Sequence, residues 1–109
     1  MPLWTRKMWK IMSIMSMYDI LFTTQYRRCR KLLIRRGYDM SKLDNTIKIL
    51  ASGEPLPPHY HDHQLKGDFK DDRECHVDGL PDWLLAYRKD KNRLILLLTG
   101  TGTHADLFE

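Results

Sequence analysis

Histidine is the most informative residue type in this sequence, because four of its five copies lie within residues 61–109. The last of them, His104, belongs to a Gly-containing stretch at residues 101–109 that directly follows an apolar, strand-like run at residues 94–98. An imidazole titrates near neutral pH and can donate or accept a proton. A histidine on a tight turn at the edge of a sheet is therefore a candidate general acid or base.

Two further histidines are expected near His104. His63 ends a loop that leads into the predicted sheet, and His76 lies on the polar face of a predicted strand together with Glu74. Asp82 follows this strand. Three separate elements can thus bring imidazoles and carboxylates into one cleft. There a carboxylate can hold one histidine tautomer and favour proton transfer.

A second interpretation of the histidines remains open. His59, His61 and His63 are separated by two residues each, so in an extended segment their side chains point to one side and could bind zinc. The longer stretch at residues 54–63, which includes these histidines, contains three prolines and favours a solvent-facing loop. Cys29 and Cys75 have no metal-ligand spacing. We therefore expect neither a metal site nor a cofactor.

The first predicted elements are a strand and a helix. Residues 18–23 are rich in β-branched and aromatic side chains, which predicts a strand. The helix that follows ends at Gly37. Its predicted buried side consists of apolar residues at helical spacing: Tyr26, Cys29, Leu32 and Leu33. Its opposite side carries four cations: Arg27, Arg28, Lys31 and Arg35.

A second helix and three strands complete the predicted fold. Asp39 or Ser41 can cap this helix, which extends to Ala51 with a buried stripe at Leu43, Ile47 and Leu50. Strands are predicted at residues 73–78, 82–88 and 93–98, the last of them central and buried on both sides. The order is β-α-α-β-β-β. This is a small α/β (α+β) fold with a helical hairpin packed on a sheet.

The composition indicates one small domain that could attract a polyanion. The chain has 109 residues, 42% of them hydrophobic, which is enough for one core. Residues 1–16 differ in composition from the rest and are interpreted as an N-terminal extension, which leaves a domain at residues 17–109. Residues 1–60 hold 11 Lys and Arg against 4 Asp and Glu. No secretory signal or bilayer-spanning segment is apparent, so a cytoplasmic protein is expected.

Four motifs give the chain a specific resemblance. They are YHDHQLKG at residues 60–67, RECHV at residues 73–77, PDW at residues 81–83 and TGTHADLF at residues 101–108. In order and spacing they resemble the YafQ-type branch of the RelE/ParE toxin superfamily. The likeness extends over residues 17–108, which is nearly the whole predicted domain.

The resemblance implies the toxin half of a type II toxin-antitoxin system. Toxins of this kind are ribosome-associated mRNA endoribonucleases, or mRNA interferases, whose cleavage is metal-independent: the RNA 2′-hydroxyl attacks the adjacent phosphorus. The implied partners are the ribosome with its mRNA and a RelB/DinJ-like antitoxin that wraps the toxin. The toxin-antitoxin complex would bind operator DNA through the antitoxin.

The family's functional positions fall on six residues of this chain: His63, Glu74, His76, Asp82, His104 and Phe108. By this resemblance, His104 protonates the leaving 5′-oxygen. His63 or His76 accepts the 2′-hydroxyl proton, and the sequence leaves open which of them does so. Asp82 would orient an imidazole, and Phe108 would stack on a base of the substrate.

The chain departs from the family pattern at two positions. Glu74 replaces the usual Asp, which keeps the charge but lengthens the side chain by one methylene. Gly100 stands where many relatives carry an arginine just before the Thr-Gly-Thr-His motif. If that arginine stabilises the pentavalent phosphorane, another cation must replace it here. Lys66, Lys70 and Arg73 are the candidates nearest in sequence.

The basic side of the first helix is either a solvated surface or a contact for RNA phosphates, such as those of ribosomal RNA. Two other functions also remain open. One is a ParE-like toxin that acts on a protein such as gyrase, and the other is a binding module with little or no catalysis. The histidine set favours the nuclease over the first of these, whereas Gly100 keeps the second open.

Overall fold

Residues 17–108 are described by the structure, a computed structural model of the chain. Residues 1–16 lie outside this range, so the division into an extension and a domain stays a prediction. The strands are β1 (Asp19–Phe22), β2 (His63–Gln64), β3 (Arg73–His76), β4 (Leu84–Asp90) and β5 (Ile95–Gly102). The helices are α1 (Thr24–Arg35), α2 (Met40–Ala51) and α3 (His104–Phe108). Short 3-10 turns occupy Pro58–Tyr60, Gly67–Phe69 and Val77–Gly79.

The first helix begins at a Thr23 cap and ends, as the sequence predicted, at Gly37. The Thr23 hydroxyl accepts a hydrogen bond from the Tyr26 backbone N–H at 3.1 Å, and Gly37 ends α1 with a φ of 82°. Tyr26 and Leu33 are buried, but the prediction of a buried Leu32 was wrong, since that side chain is 39% exposed. Tyr26 and Leu33 are seven residues apart, close to two helical turns, and Leu32 lies about 100° away around the helix.

The second helix is held by its N-cap and by a link to the sheet. Asp39 accepts from the Ser41 backbone N–H at 3.0 Å, so it is the predicted cap that the structure uses. Thr46 is fully buried on α2, and its hydroxyl accepts from the Asp78 backbone N–H at 3.2 Å. This bond joins α2 to the turn that follows β3, and the predicted helical hairpin is confirmed.

The sheet has five strands in the order β1-β5-β4-β3-β2. Strands β1 and β5 are parallel, and the other neighbouring pairs are antiparallel. The last strand is an interior strand, flanked by β1 and β4, although the centre of the sheet is β4. Strand β5 continues to Gly102, four residues beyond the predicted end. The prediction that β5 is buried on both sides was wrong for one side: Leu96 and Leu98 form part of the core, whereas Ile95 and Leu97, on the other side, are only half-buried.

A β-bulge in β5 gives the site its geometry. Ala86 pairs with Gly100 and Tyr87 pairs with Leu98, so Thr99 is an extra residue on β5. We call the face that packs on α1 and α2 the inner face; Leu85, Tyr87 and Leu98 lie on it, in the core. The bulge reverses the alternation, so Gly100 points with Ala86 to the opposite, outer face.

Two elements were absent from the predicted order. The segment before β3 contributes the two-residue edge strand β2, and the predicted turn at residues 101–109 consists of the end of β5 followed by α3. Both elements are short and their order depends on neighbours distant in sequence. Within residues 17–108, no helix is long and apolar enough to cross a membrane.

Candidate active site

The outer face carries two cross-strand rows of residues. In the first, His63 pairs with Glu74, Glu74 with Ala86, and Ala86 with Gly100. Paired residues point to the same face of a sheet, so these four positions share the outer face.

The second row lies next to the first, two residues further along each strand. His76 pairs with Leu84, and Leu84 pairs with Gly102. Residues i and i+2 of a strand are about 7 Å apart and point the same way. His76 therefore lies on the same face as His63 and Glu74, as the alternation in β3 predicted.

His63 is oriented by a backbone carbonyl and faces a carboxylate. Its Nδ1 lies 2.7 Å from the His61 carbonyl oxygen, and its Nε2 lies 3.7 Å from Glu74 Oε1. The carbonyl can only accept, so Nδ1 carries the proton and Nε2 is the lone-pair nitrogen of the neutral ring. The His63 side chain is 50% exposed. The ring can therefore meet a substrate and has a carboxylate beside its basic nitrogen.

Glu74 is a buried acid with an unused oxygen. The residue is 7% exposed, and within residues 17–108 its Oε2 has no hydrogen-bond partner. Burying a carboxylate is costly unless a positive charge or a donor compensates it. An imidazolium on His63 would provide that positive charge, which suits a carboxylate that supports proton transfer.

His76 is held in the same way as His63. Its Nδ1 lies 3.1 Å from the Leu80 carbonyl oxygen, so Nε2 is again the lone-pair nitrogen of the neutral ring. The His61 ring packs edge-on against it, with 5.1 Å between centroids. Backbone carbonyls thus orient both His63 and His76.

Helix α3 lies over the outer face and places His104 there. A Cβ built on Gly100 would lie 3.1 Å from Leu107 Cδ2, and one on Gly102 would lie 2.8 Å from Asp106 Oδ2. Both glycines point to the outer face, so α3 covers the ends of the two rows. His63 and His76 thus lie on one face, and the helix that carries His104 packs against the same face.

Aromatic rings extend from His104 across the edge of the site. The centroids of His104 and Phe108 are 5.1 Å apart, and Phe108 meets Phe69 edge-on at 5.4 Å. Phe69 is 47% exposed on the turn that follows β2. Sequence reasoning identified Phe108 but missed Phe69, because the contact joins positions 39 residues apart and leaves no local signal.

The zinc interpretation loses its geometric basis. The predicted extended run is broken at His61, which has a φ of 50°. His59 covers Gly79, His61 packs on His76, and His63 faces Glu74. Among the described residues, no three His, Cys, Asp or Glu side chains are grouped closely enough to hold a metal ion.

Asp82 lies apart from the imidazoles. It is exposed and lines an open pocket of about 460 Å³ together with Arg36, Tyr38, Lys42 and Trp83. Within residues 17–108, its carboxylate makes no hydrogen bond to a histidine. Its contribution to catalysis stays a prediction.

The cations near the site differ from those expected. The Arg73 side chain points to the same face as Cys75 and Tyr87, which is the inner face and not that of Glu74. Its guanidinium binds Asp62 at 3.2 Å. The structure does not bring Arg73 to the outer face. Lys66 and Lys70 are exposed on either side of the turn that carries Phe69.

Arg88 is the cation that sequence reasoning missed. It lies on β4 two residues after Ala86, so it points to the outer face. Its Nε donates to Asp72, a carboxylate that also accepts from the Thr99 hydroxyl at 3.4 Å. The side chain is 52% exposed. The alternation along β4 was a signal that could have identified it.

The basic side of α1 is only partly solvated. Arg28, Lys31 and Arg35 are exposed, whereas Arg27 is half-buried and its Nε has no hydrogen-bond partner among the described residues. Three of the four predicted cations therefore remain accessible to an anionic surface.

Cys75 is excluded as a nucleophile. Its side chain is fully buried on the inner face, and burial raises the pKa of the thiol well above its usual value. The described site therefore offers imidazoles, carboxylates, an arginine and aromatic rings. The imidazoles and carboxylates can transfer protons, the arginine can bind an anion, and the aromatic rings can stack on planar groups such as nucleic-acid bases.

Comparisons with known proteins agree with this site. The family model described as the bacterial toxin of type II toxin-antitoxin system, YafQ, matches residues 18–109. The mRNA interferase toxin YafQ of Escherichia coli strain K12 is 42% identical over 92 residues, which are 83% of this chain and 95% of that toxin. The crystal structure of the E. coli DinJ-YafQ toxin-antitoxin complex matches with a TM-score of 0.76 and 39% identity, over 85% of this chain and 99% of that one.

A crystal structure of a metal-bound toxin from Helicobacter pylori also matches, with a TM-score of 0.74 and 39% identity over 82% of this chain and 97% of that one. A helical hairpin on a five-stranded sheet, with histidines on the open face, places this protein in the RelE-like class of bacterial toxins. The chain belongs to the YafQ family of type II toxin-antitoxin systems. The predicted fold class and family are confirmed.

Proposed function

We propose that this chain is an mRNA interferase that cleaves ribosome-bound message without a metal ion. The observation that carries the proposal is that His63 and His76 share one sheet face, with the Glu74 carboxylate beside His63 and with α3, the helix that carries His104, packed against the same face. The mRNA interferase YafQ of E. coli, 42% identical, supports it. A toxin directed at a protein target would not need this acid–base cluster.

The chemistry is a transesterification within the RNA. His63 Nε2 accepts the proton of the 2′-hydroxyl, and the 2′-oxygen attacks the adjacent phosphorus. The bond from phosphorus to the 5′-oxygen breaks, and His104 donates a proton to that oxygen. The products are a 2′,3′-cyclic phosphate and a 5′-hydroxyl. Glu74 stabilises the imidazolium that forms on His63.

His63 is a better candidate for the base than His76. Both rings present Nε2 as the lone-pair nitrogen, but His63 has a carboxylate oxygen 3.7 Å from that atom. His76 packs against His61 instead. We assign His76 to holding the phosphate or the attacking hydroxyl in line.

Phe108 and Phe69 would hold the bases that flank the scissile bond. Aromatic stacking on a single-stranded base contributes about 1–3 kcal/mol and tolerates many sequences. Phe108 lies beside His104, and Phe69 lies beside Phe108, so a base stacked on Phe108 would place its 5′-oxygen near the acid. Lys66 and Lys70 would contact neighbouring phosphates.

Arg88 would supply the positive charge that the family arginine supplies elsewhere. Gly100 removes that arginine, and Arg88 lies on the neighbouring strand, on the same face. The Asp72 carboxylate fixes the guanidinium through Nε, and a guanidinium has further donors for phosphate oxygens. Charge on the phosphorane would be stabilised from this position.

The Arg88→Gln variant should lower the single-turnover cleavage rate about 10- to 100-fold, because it removes a cation that acts on the transition state. Arg88→Lys should lose less, since it retains the charge but not the fork of donors. Single-turnover cleavage of message on ribosomes measures both. Lys91→Gln, in the turn after β4, is the matched control. An unchanged rate in Arg88→Gln would exclude this role.

Two macromolecular partners are part of the proposal. The exposed cations Arg28, Lys31 and Arg35 would bind phosphates of ribosomal RNA, a contact that weakens as salt concentration rises. A DinJ-like antitoxin would cover the outer face and block the site. The solved complex of E. coli YafQ with DinJ supports an antitoxin partner, and operator DNA would be bound through that antitoxin.

The test is a reconstituted translation reaction that receives the purified chain. We expect cleavage of ribosome-bound message, no cleavage of the same RNA without ribosomes, and an unchanged rate with a zinc-selective chelator. Intact message would exclude the nuclease and favour the gyrase-directed or non-catalytic alternatives. Loss of cleavage on chelation would overturn the metal-independent mechanism.

A further inference from the structure

Helix α3 is too short to hold its own position. It consists of the five residues His104–Phe108, and isolated helices of this length are unstable in water. None of its residues is fully buried. Contacts with other elements must therefore determine where His104 lies.

Asp106 is the centre of those contacts. Its Oδ2 accepts from the Thr103 backbone N–H at 2.9 Å, and its own backbone N–H donates to the Thr103 hydroxyl at 3.1 Å. This reciprocal pair is a capping box that fixes the first turn of α3. The same Oδ2 accepts from Arg36 Nη1 at 2.8 Å.

Arg36 connects α3 to α1, a helix that is itself joined to the sheet. It is the C-cap of α1, where its backbone N–H donates to the Leu32 carbonyl at 3.1 Å. The other end of α1 is joined to β5, because the Thr23 hydroxyl donates to the Thr99 carbonyl at 3.3 Å. The Arg36 to Asp106 ion pair thus spans 70 residues of sequence.

The electrostatics agree with a persistent pair. The Thr103 backbone N–H and the Arg36 guanidinium hold the pKa of the Asp106 carboxyl below its usual value. The pair is therefore fully charged at neutral pH. Its contribution would be lost only as the pH falls through that lowered pKa.

We infer that Arg36 is a positioning residue for catalysis: through Asp106 it holds α3, and with it His104, over the outer face. This inference rests on the proposed function, since His104 is the proposed general acid. Arg36 acts at a distance from the reacting atoms. It should therefore affect kcat through the placement of the imidazole, and leave RNA affinity unchanged.

A double-mutant cycle tests the link. Arg36→Gln and Asp106→Asn each remove the ion pair, while Asn keeps an oxygen that can accept from the Thr103 N–H. We expect each single variant to lower kcat about two- to fivefold, as a partly exposed pair allows. The double variant should lose no more than either single one. Arg36→Lys should restore part of the rate.

The matched control is Arg93→Gln, which removes another surface arginine paired with an aspartate, 3.8 Å from Asp90. It should leave kcat unchanged. Additive losses in the cycle would overturn the inference. So would an Arg36→Gln variant with a raised KM and unchanged kcat, because Arg36 would then bind RNA directly from the pocket it lines.

A second measurement needs no RNA. The NMR signals of the His104 imidazole should shift or broaden in Arg36→Gln and Asp106→Asn but not in Arg93→Gln. An unchanged His104 signal in both variants would overturn the link. This result is independent of cleavage, so it distinguishes a failed link from a failed proposed function.

Discussion

The His104→Ala variant should cleave ribosome-bound message about 100- to 10,000-fold more slowly than the unchanged chain, which is the range for loss of a general acid or base. KM should change little, because Phe108 and the cations would still hold the RNA. The reason is the leaving group: without a proton donor, the 5′-oxygen must depart as an alkoxide. Single-turnover cleavage at saturating toxin measures the loss.

A modified substrate assigns the role of His104 directly. Sulfur in place of the 5′-bridging oxygen at the scissile bond gives a leaving group that needs no protonation. This substrate should restore most of the rate of His104→Ala but not that of His63→Ala. The reverse pattern would exchange the acid and the base. His59→Ala is the control: the His59 ring packs on Gly79 and has no role in the proposed reaction, so this variant should cleave at the normal rate.

The elements that the sequence predicted well depend on local signals. Asp39 caps the second helix, and Gly37 ends the first one with a positive φ. Such signals act within one or two turns of the chain. The exposure of Leu32 shows their limit, because which apolar side of α1 becomes buried depends on how the helix packs on β5.

The missed features all depend on contacts between distant residues. Strand β2 exists because His63 and Gln64 pair with Glu74 and Arg73. The bulge at Thr99 changes which residues of β5 share a face with Glu74, and no residue pattern within β5 predicts it.

The histidine set itself was predictable because alternation in β3 and the resemblance both pointed to it. The partners of each imidazole were not predictable. His63 and His76 are oriented by the carbonyls of His61 and Leu80, and a backbone carbonyl leaves no trace in side-chain sequence. The alternation along β4 indicates the face of Arg88, but its position near Gly100 becomes apparent only when Gly100 and Ala86 are known to be neighbours.

Restoring the family arginine should impair this protein. In Gly100→Arg the new side chain must enter space that Leu107 occupies, since even a Cβ at this position lies 3.1 Å from Leu107 Cδ2. Forced overpacking of this kind typically costs about 1–3 kcal/mol. We expect α3 to shift, His104 to leave its position, and the single-turnover cleavage rate to fall about 5- to 100-fold.

Two companion variants separate crowding from charge. Gly100→Ala adds only the Cβ, which Leu107 can accommodate by moving a few tenths of an ångström, so its rate should stay near normal. In Gly100→Arg combined with Leu107→Ala, the arginine has room beside Glu74 and the rate should recover. Gly100→Arg alone cleaving faster than the unchanged chain would contradict this account. That result would mean that glycine at position 100 only removes a catalytic cation. The close approach of Leu107 indicates instead that Gly100 is the position against which α3 packs.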